Sequence, residues 1–113
     1  MVLEYMKTNK PYLNHLLTLE NLANQLDLTS RSLSQIINRH FKQNFFEFIN
    51  SYRIDESKRL LEQNENTNTT MLQIMEQAGF NSKATFNTFF KKTLGLTPTQ
   101  YRKNYRQATQ KIT

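Results

Sequence analysis

Apolar residues along this chain recur at three- and four-residue steps, which is the period of an α-helix. The longest such run covers residues 44–63, NFFEFINSYRIDESKRLLEQ, and contains no Gly or Pro. Asn44 is followed three residues later by Glu47, which is the pattern of a capping box. We therefore expect one long central helix that begins at Asn44.

The sequence on both sides of this run predicts shorter helices. The predicted bounds are 3–10, 19–26 and 30–41 before it, and 71–78, 83–94 and a last helix from Pro98 after it. Thr18, Thr29, Thr70 and either Asn81 or Ser82 stand as caps at the N-terminal ends of four of these helices, the first helix has no cap, and Gly79 and Gly95 stand where helices stop. The polar segment 64–70 is the only obvious linker. With two Gly and two Pro in 113 residues, we expect an all-α fold of about seven helices.

The apolar residues of the short helices predict which side of each helix is buried. From the two longest of these helices we expect Leu33, Ile36, Ile37, Phe86, Phe89 and Phe90 to point into the core. Between them, the helix 71–78 should bury Leu72, either Ile74 or Met75, and Ala78. The three phenylalanines are therefore interpreted as core residues and not as a surface for stacking bases.

The two sides of the central helix repeat each other. With one insertion near Ser82, Leu33 aligns with Phe86, Asn44 with Thr97, and Glu47 with Gln100. Two short helices joined by a tight turn, the second with a polar outer face, form a helix-turn-helix pattern. We expect two such subdomains, at 1–43 and 64–113, joined by the central helix at 44–63.

Positive charge is concentrated in two windows. Residues 77–113 hold seven Lys and Arg and no acid, whereas residues 1–76 hold eight Lys and Arg against nine Asp and Glu. A second window without acid runs from Leu28 to Phe46. Such windows suggest contacts with phosphate, although a solubilising surface gives the same pattern. A central helix of roughly 30 Å also approaches the ~34 Å between successive major-groove segments on one side of B-DNA.

Other functional classes find little support. The absence of cysteine excludes disulfides and thiolate metal sites, and the two histidines are isolated from further ligands. We find no nucleophile–base pair and no glycine-rich phosphate loop, and we expect no enzymatic activity, metal or cofactor. No membrane span or signal peptide is visible, so we expect a cytoplasmic location.

Two stretches resemble the AraC/XylS family of transcription regulators. The run AGFNSKATFNTFFKKTLGLTPTQYRK is similar to the signature of that family, and the upstream segments LTLENLANQLDLTSRSLSQIINRHF and FINSYRIDESKRLL resemble its first half. The resemblance covers about Leu17 to Lys103. It implies two recognition helices that enter successive major-groove segments of double-stranded DNA. It also implies a sensor or dimerisation domain N-terminal to this chain, and no small-molecule effector bound by this domain itself.

The resemblance also assigns roles to particular residues. Positions that meet base edges are matched by Arg31, Ser34, Gln35, Lys83, Ala84, Asn87 and Thr88. Positions that contact phosphate are matched by Thr29, Arg39, Lys91, Lys92 and Arg102. The chain departs from the family where Asp27 and Lys42 replace common glycines and where Met75 replaces a small residue.

Two interpretations stay open on the sequence alone. The basic surface could serve a helical module that binds RNA or docks onto a protein, in place of sequence-specific binding to duplex DNA. Arg53 lies mid-helix among apolar neighbours, and we expect it to be a structural partner for an acidic residue and not a DNA contact.

Overall fold

The computed structural model describes the backbone of residues 1–63 and 68–112, and the side chains of residues 1–63 and 68–108. These residues form seven α-helices and one short 3-10 turn at Pro11–Leu13, with no strand in the described part. The helices are α1 (Val2–Asn9), α2 (Leu19–Gln25), α3 (Ser30–Phe41), α4 (Phe45–Gln63), α5 (Met71–Gln77), α6 (Lys83–Leu94) and α7 (Pro98–Ile112).

The all-α class is confirmed, and the predicted helix bounds agree with the observed ones to within one residue. The 3-10 turn was not anticipated. Residues 64–67 of the predicted linker lie outside the described residues, and 68–70 have no regular structure. The exact limits of the two subdomains stay a prediction.

Side-chain caps define where most of the helices begin. The hydroxyls of Thr18, Thr29 and Ser82 accept hydrogen bonds from backbone N–H groups three residues later, at 3.1, 3.0 and 3.3 Å. The central helix α4 has a complete capping box, in which Glu47 N donates to Asn44 Oδ1 at 2.8 Å and Asn44 N donates to Glu47 Oε1 at 3.1 Å. These bonds satisfy N–H groups that have no partner within the helix.

The internal repeat predicted from the sequence is visible in the backbone. The turns after α2 and α5 each contain a residue with positive φ, Asp27 at 57° and Gly79 at 97°. Each turn is closed by an amide that donates to a carbonyl five residues earlier, Leu28 to Ala23 at 2.8 Å and Phe80 to Met75 at 3.0 Å. This bond is characteristic of a Schellman motif. The two halves therefore share one turn geometry, although only the second uses glycine.

The ends of the two recognition-helix candidates also match. Helix α3 is followed by Lys42 with φ 56°, and α6 is followed by Gly95 with φ 78°. A left-handed conformation costs a residue with a Cβ about 1–2 kcal/mol. Lys42 therefore holds a strained position that its counterpart in the second half occupies without strain.

The buried residues form two hydrophobic clusters, and α4 contributes to both. The first cluster joins α1, the 3-10 turn, α2 and α3 to Phe48 and Ile49, and the second joins α5 and α6 to Ile54, Leu60 and Leu61. At about 100° per residue, Ile54 and Leu61 lie roughly 120–140° around the helix from Phe48 and Ile49, whereas Leu60 lies within roughly 20° of Ile49 but farther along the axis. The two clusters therefore pack against different lengths of one rod and, for the most part, against different sides.

Most predicted core positions are confirmed. Leu33, Ile37, Phe86 and Phe90 are buried, and Ile36 and Phe89 are half-buried. On α5, both Ile74 and Met75 are buried together with Ala78.

The prediction for Leu72 is wrong, because its side chain is 45% exposed. Leu72 lies two residues before Ile74, which places it roughly 200° around the helix and away from the core. Residue type alone does not distinguish an apolar residue on the outer face of a short helix from a core residue. Only its spacing from the buried residues separates the two.

The prediction that Arg53 pairs with an acidic residue is also wrong. The guanidinium donates to two backbone carbonyls of the first half, from Nε to Tyr12 O at 2.7 Å and from Nη2 to Asn14 O at 3.0 Å. Arg53 is therefore structural, as expected, but it holds the backbone and not a carboxylate. Burial lowers the pKa of its guanidinium, which retains its charge at neutral pH.

The capping box of α4 should contribute measurably to stability. We expect Asn44→Ala to lower the free energy of unfolding by about 1 kcal/mol, because the backbone N–H of Glu47 loses its acceptor, Asn44 Oδ1. The exposed Asn81 lies just outside a helix and serves as the control; its replacement by Ala should change stability by less than about 0.5 kcal/mol. Urea unfolding followed by circular dichroism compares the two variants, and equal midpoints would contradict the prediction.

Candidate nucleic-acid interface

The outer face of α3 presents unpaired polar side chains. Arg31, Ser34 and Gln35 are exposed, and Asn38 and Arg39 extend the same face toward the end of the helix. Within the described part of the chain, none of these side chains forms an intramolecular hydrogen bond or ion pair. Their donors and acceptors are therefore available to an external partner.

Helix α6 presents a similar face in the second half. Lys83, Ala84, Asn87 and Thr88 are all exposed, while Phe86 and Phe90 on the opposite side are buried in the second cluster. Burial of the phenylalanines fixes the rotation of α6 about its axis, which leaves the polar side outward. All seven residues predicted to meet base edges are thus accessible at the surface.

Four of the five predicted phosphate-contacting residues are exposed as well. Arg39, Lys91 and Lys92 are exposed cations near the C-terminal ends of α3 and α6. Thr29 is exposed, but its hydroxyl is already engaged: it accepts from Ser32 N at 3.0 Å and donates to Ser32 Oγ at 3.0 Å. A contact from Thr29 to a phosphate would therefore have to share this hydroxyl with the helix cap or use the backbone amide.

Arg102 differs from the other four. It is half-buried, and its Nη1 donates to the backbone carbonyl of Thr69 at 3.0 Å. Burial and the neighbouring Arg106 lower the pKa of its guanidinium. The bond ties α7 to the segment that precedes α5, so Arg102 has a structural contact besides any role at the surface.

No acidic residue lies on α3 or α6. The acids of α4 are in part engaged in the protein: Glu56 forms an ion pair with Arg59 at 2.7 Å, and Glu62 accepts a hydrogen bond from the Tyr101 hydroxyl. The hydrogen bond from Arg59 holds the pKa of the Glu56 carboxyl below its usual value. The positive surface of the two polar helices is therefore not offset by carboxylates of their own.

These side chains suit the grooves of a nucleic acid. Arg can donate two parallel hydrogen bonds to guanine, and Gln or Asn can pair with the exposed edge of adenine. Ammonium groups and helix N-termini are the usual partners of phosphate. Among the described residues there is no cluster of His, Asp and Glu that could hold a metal ion.

One contact at this surface could not be expected from the sequence. Phe46, at the start of α4, is 56% exposed and packs edge-on against Phe89 of α6 with ring centres 5.3 Å apart. The Lys92 ammonium lies 6.0 Å from the centre of the Phe89 ring. The two rings are 43 residues apart in sequence, and no local pattern pairs them.

Each half contains two short helices joined by a tight turn, and the second helix of each pair exposes a polar face. These two pairs define a protein with two helix-turn-helix units. A family model described as "Helix-turn-helix domain" matches residues 22–104. The chain belongs to this family, in its AraC/XylS type, as the sequence resemblance predicted.

The relatives agree with this placement. The melibiose operon regulatory protein of Escherichia coli (strain K12) is 31% identical over 94 residues, which are 83% of this chain and 30% of that protein. The chain therefore spans less than a third of the length of this curated relative.

Solved structures of related domains have the same fold. The C-terminal domain of the response regulator yesN from Fusobacterium nucleatum is 32% identical, with a TM-score of 0.72 over 89% of this chain and 93% of that one. The C-terminal domain of AraT, a response regulator from Geobacillus stearothermophilus, is 28% identical, with a TM-score of 0.75 over 91% and 84% of the two chains. The DNA-binding domain of AdpA in complex with a target DNA has a TM-score of 0.77 over 95% and 91%, and its 20% identity supports the fold alone.

Within the described residues, none of the helices combines the length and the apolar character needed to span a bilayer.

The contact of Arg102 with Thr69 generates a test of its structural part. We expect Arg102→Ala to lower the free energy of unfolding by about 1 kcal/mol in the absence of any ligand, because a partly screened, charge-assisted hydrogen bond is lost. The exposed Lys91, which has no such bond, provides the matched control Lys91→Ala. Thermal unfolding of both variants should show a lower midpoint only for Arg102→Ala, and equal midpoints would remove the structural role.

Proposed function

We propose that this chain is the DNA-binding domain of an AraC-type transcription regulator and reads a bipartite double-stranded site with α3 and α6. The observation that carries the proposal is the duplicated polar face: two equivalent helices, both free of acid, with exposed Arg, Gln, Lys and Asn side chains. Membership in the helix-turn-helix family supports the same conclusion. The fold shared with domains named as response-regulator C-termini is consistent with it.

In this mechanism, affinity and specificity come from different residues. Arg39, Lys91 and Lys92 neutralise phosphates and release counterions, which gives affinity for any sequence. The base edges are read by Arg31, Ser34 and Gln35 in one major-groove segment and by Lys83, Ala84, Asn87 and Thr88 in the next. Thr29 and Arg102 contribute to phosphate contacts in addition to their contacts within the protein.

The rest of the native regulator is also part of the proposal. Because the relative from Escherichia coli is more than three times longer than the aligned region, we propose that a sensor or dimerisation domain lies N-terminal to this domain. This domain itself would bind DNA and no effector or cofactor, and it would act in the cytoplasm. The reported relatives are named as regulators or DNA-binding domains and not as enzymes, so we expect no catalytic activity.

The alternative, a module that binds RNA or docks onto a protein, is less well supported. Two α-helices with exposed polar side chains suit the wide major groove of B-DNA, whereas the deep, narrow major groove of A-form RNA does not admit them. Competition at fixed salt between a selected duplex, a scrambled duplex and RNA distinguishes the two. Equal binding to all three would reject sequence-specific DNA recognition.

Base reading by α3 and α6 can be tested residue by residue. We expect Gln35→Ala and Asn87→Ala each to cost ~1–3 kcal/mol of binding free energy, and only at their own base positions. Exposed residues of the same type on α7, Gln107 and Asn104, give matched controls when they are changed to Ala. Competition binding on a randomised duplex library measures the effect, and a uniform loss over all sequences from Gln35→Ala would reject its role in readout.

Phosphate binding predicts a different pattern for lysine. We expect Lys91→Ala to weaken binding to all duplexes about equally and to reduce the slope of log K against log salt by about one unit. Lys7 on α1 is exposed and lies outside the proposed surface, so Lys7→Ala should leave the slope unchanged. Titrations over a range of salt concentrations measure both, and a sequence-dependent loss from Lys91→Ala would contradict a phosphate contact.

A further inference from the structure

One contact links the two halves directly, outside the shared helix. The 3-10 turn of the first half lies between Arg53 of α4 and Gly79 of the second half. Arg53 Nε and Nη2 donate to the carbonyls of Tyr12 and Asn14 at 2.7 and 3.0 Å. A Cβ built on Gly79 would lie 2.3 Å from the same Tyr12 oxygen and 3.0 Å from Arg53 Nε. The second half therefore approaches the first so closely that only glycine fits.

Both ends of this contact are anchored in a core. Tyr12 is 6% exposed, belongs to the first cluster and stacks on Tyr52 with ring centres 5.3 Å apart. Gly79 stands between Ala78 and Phe80, which are both buried in the second cluster. A movement of one cluster relative to the other would therefore break or strain the contact, because neither side is a loose loop.

The buried side chain of Asn50 lies beside the Arg53 guanidinium. Asn50 is 1% exposed, and its Oδ1 accepts from Arg53 Nη1 at 3.5 Å. Its Nδ2 has no hydrogen-bond partner among the described residues. A buried amide with an unsatisfied N–H is unfavourable compared with an apolar residue of the same size. Within the described residues, the hydrogen bond of this side chain is the one to Arg53, so Asn50 adds a third polar contact to the guanidinium.

The hydrogen bonds of Arg53 are directional, unlike the contact between Phe46 of α4 and Phe89 of α6. The planar guanidinium presents its donors in a fixed fork, so it defines both a distance and an angle. The Phe46–Phe89 pair is apolar, and apolar contacts tolerate sliding and rotation. The Arg53 hydrogen bonds hold the 3-10 turn of the first half on α4, and Gly79 of the second half packs against the same turn. The two units are therefore attached at a second place besides the shared helix, which restricts their relative rotation.

Angle matters because DNA is a helix. Successive base pairs of B-DNA rotate by about 36°. The relative rotation of the two recognition helices therefore determines how many base pairs can separate the two DNA segments that they contact, which we call the half-elements of the site. We propose that Arg53 and Gly79 are positioning residues that set the spacing of the bipartite site. This inference rests on the proposed function, since it concerns the rotation of one recognition helix relative to the other.

The test compares duplexes that differ only in spacing. After selection of a preferred duplex, one base pair is inserted or deleted between its two half-elements. The wild-type chain should bind the altered duplexes about tenfold more weakly or worse, whereas Arg53→Lys should reduce this penalty to about threefold, because an ammonium cannot reproduce the fork. Arg59→Lys is the control, because within the described residues the hydrogen bonds of Arg59 go to Glu56 and Gln63 on its own helix; it should keep the full penalty.

Glycine variants provide a second, independent comparison. Gly79 and Gly95 both have positive φ, but a Cβ at Gly95 meets nothing within 4 Å. Gly79→Ala and Gly95→Ala thus carry similar backbone strain and differ in the contact between the halves. If Gly79→Ala folds, it should lose spacing preference while Gly95→Ala keeps it. If Gly79→Ala does not fold, the outcome for Arg53→Lys decides the question.

A measurement without DNA separates this inference from the proposed function. The chain has no cysteine, so nitroxide labels can be placed on Glu20→Cys in α2 and Glu76→Cys in α5, both exposed. The distance distribution between the labels should broaden or shift with Arg53→Lys and not with Arg59→Lys. An unchanged distribution, or an unchanged spacing penalty in Arg53→Lys, would overturn the inference. If the wild-type chain prefers no duplex at all, the proposed function fails, and the labelled pair still decides whether Arg53 fixes the two halves.

Discussion

The structure depends on a single helix that is buried on two sides. Helix α4 places Phe48 and Ile49 in one hydrophobic cluster and Ile54, Leu60 and Leu61 in the other. Each pair of short helices buries apolar residues against this rod, so one helix completes both cores. The cost is that α4 has little free surface, and its polar residues must find partners within the protein.

The partners of those polar residues explain much of the arrangement around the rod. Arg53 bonds to the backbone of the first half, Glu56 to Arg59, and Glu62 to Tyr101 of α7. Each contact ties α4 to itself or to a neighbouring element. As a result, the charged groups of the central helix are largely engaged, whereas those of α3 and α6 are left for an external partner.

The duplication extends to the backbone but not to the outer side chains. The turns, caps and helix ends of the two halves match, including the positive φ of Asp27 and Lys42 where the second half has Gly79 and Gly95. The outer faces differ: one offers Arg31, Ser34 and Gln35, the other Lys83, Asn87 and Thr88. An asymmetric bipartite DNA site would require two halves with the same backbone geometry and different exposed side chains.

The sequence by itself determined the local structure and the candidate readers. Caps, stop signals and the three- and four-residue period predicted the helix bounds, because these signals act within a few residues of the chain. The same period placed six of the seven candidate base-contacting residues on outer faces, the family resemblance supplied Ala84, and all seven are exposed. Position on a helix surface follows from spacing alone once one side is known to be buried.

Only the tertiary structure decided the contacts between distant segments. The carbonyl partners of Arg53 lie 41 and 39 residues away in sequence. The hydrogen bond from Arg102 to the carbonyl of Thr69 spans 33 residues. A guanidinium in a sequence carries no information on whether it will meet a carboxylate, a carbonyl or solvent. The close approach of Gly79 to Tyr12 could not be predicted for a related reason. A turn residue with positive φ is by itself a sufficient reason for glycine at this position. The second demand, for space, arises only when the two halves pack together.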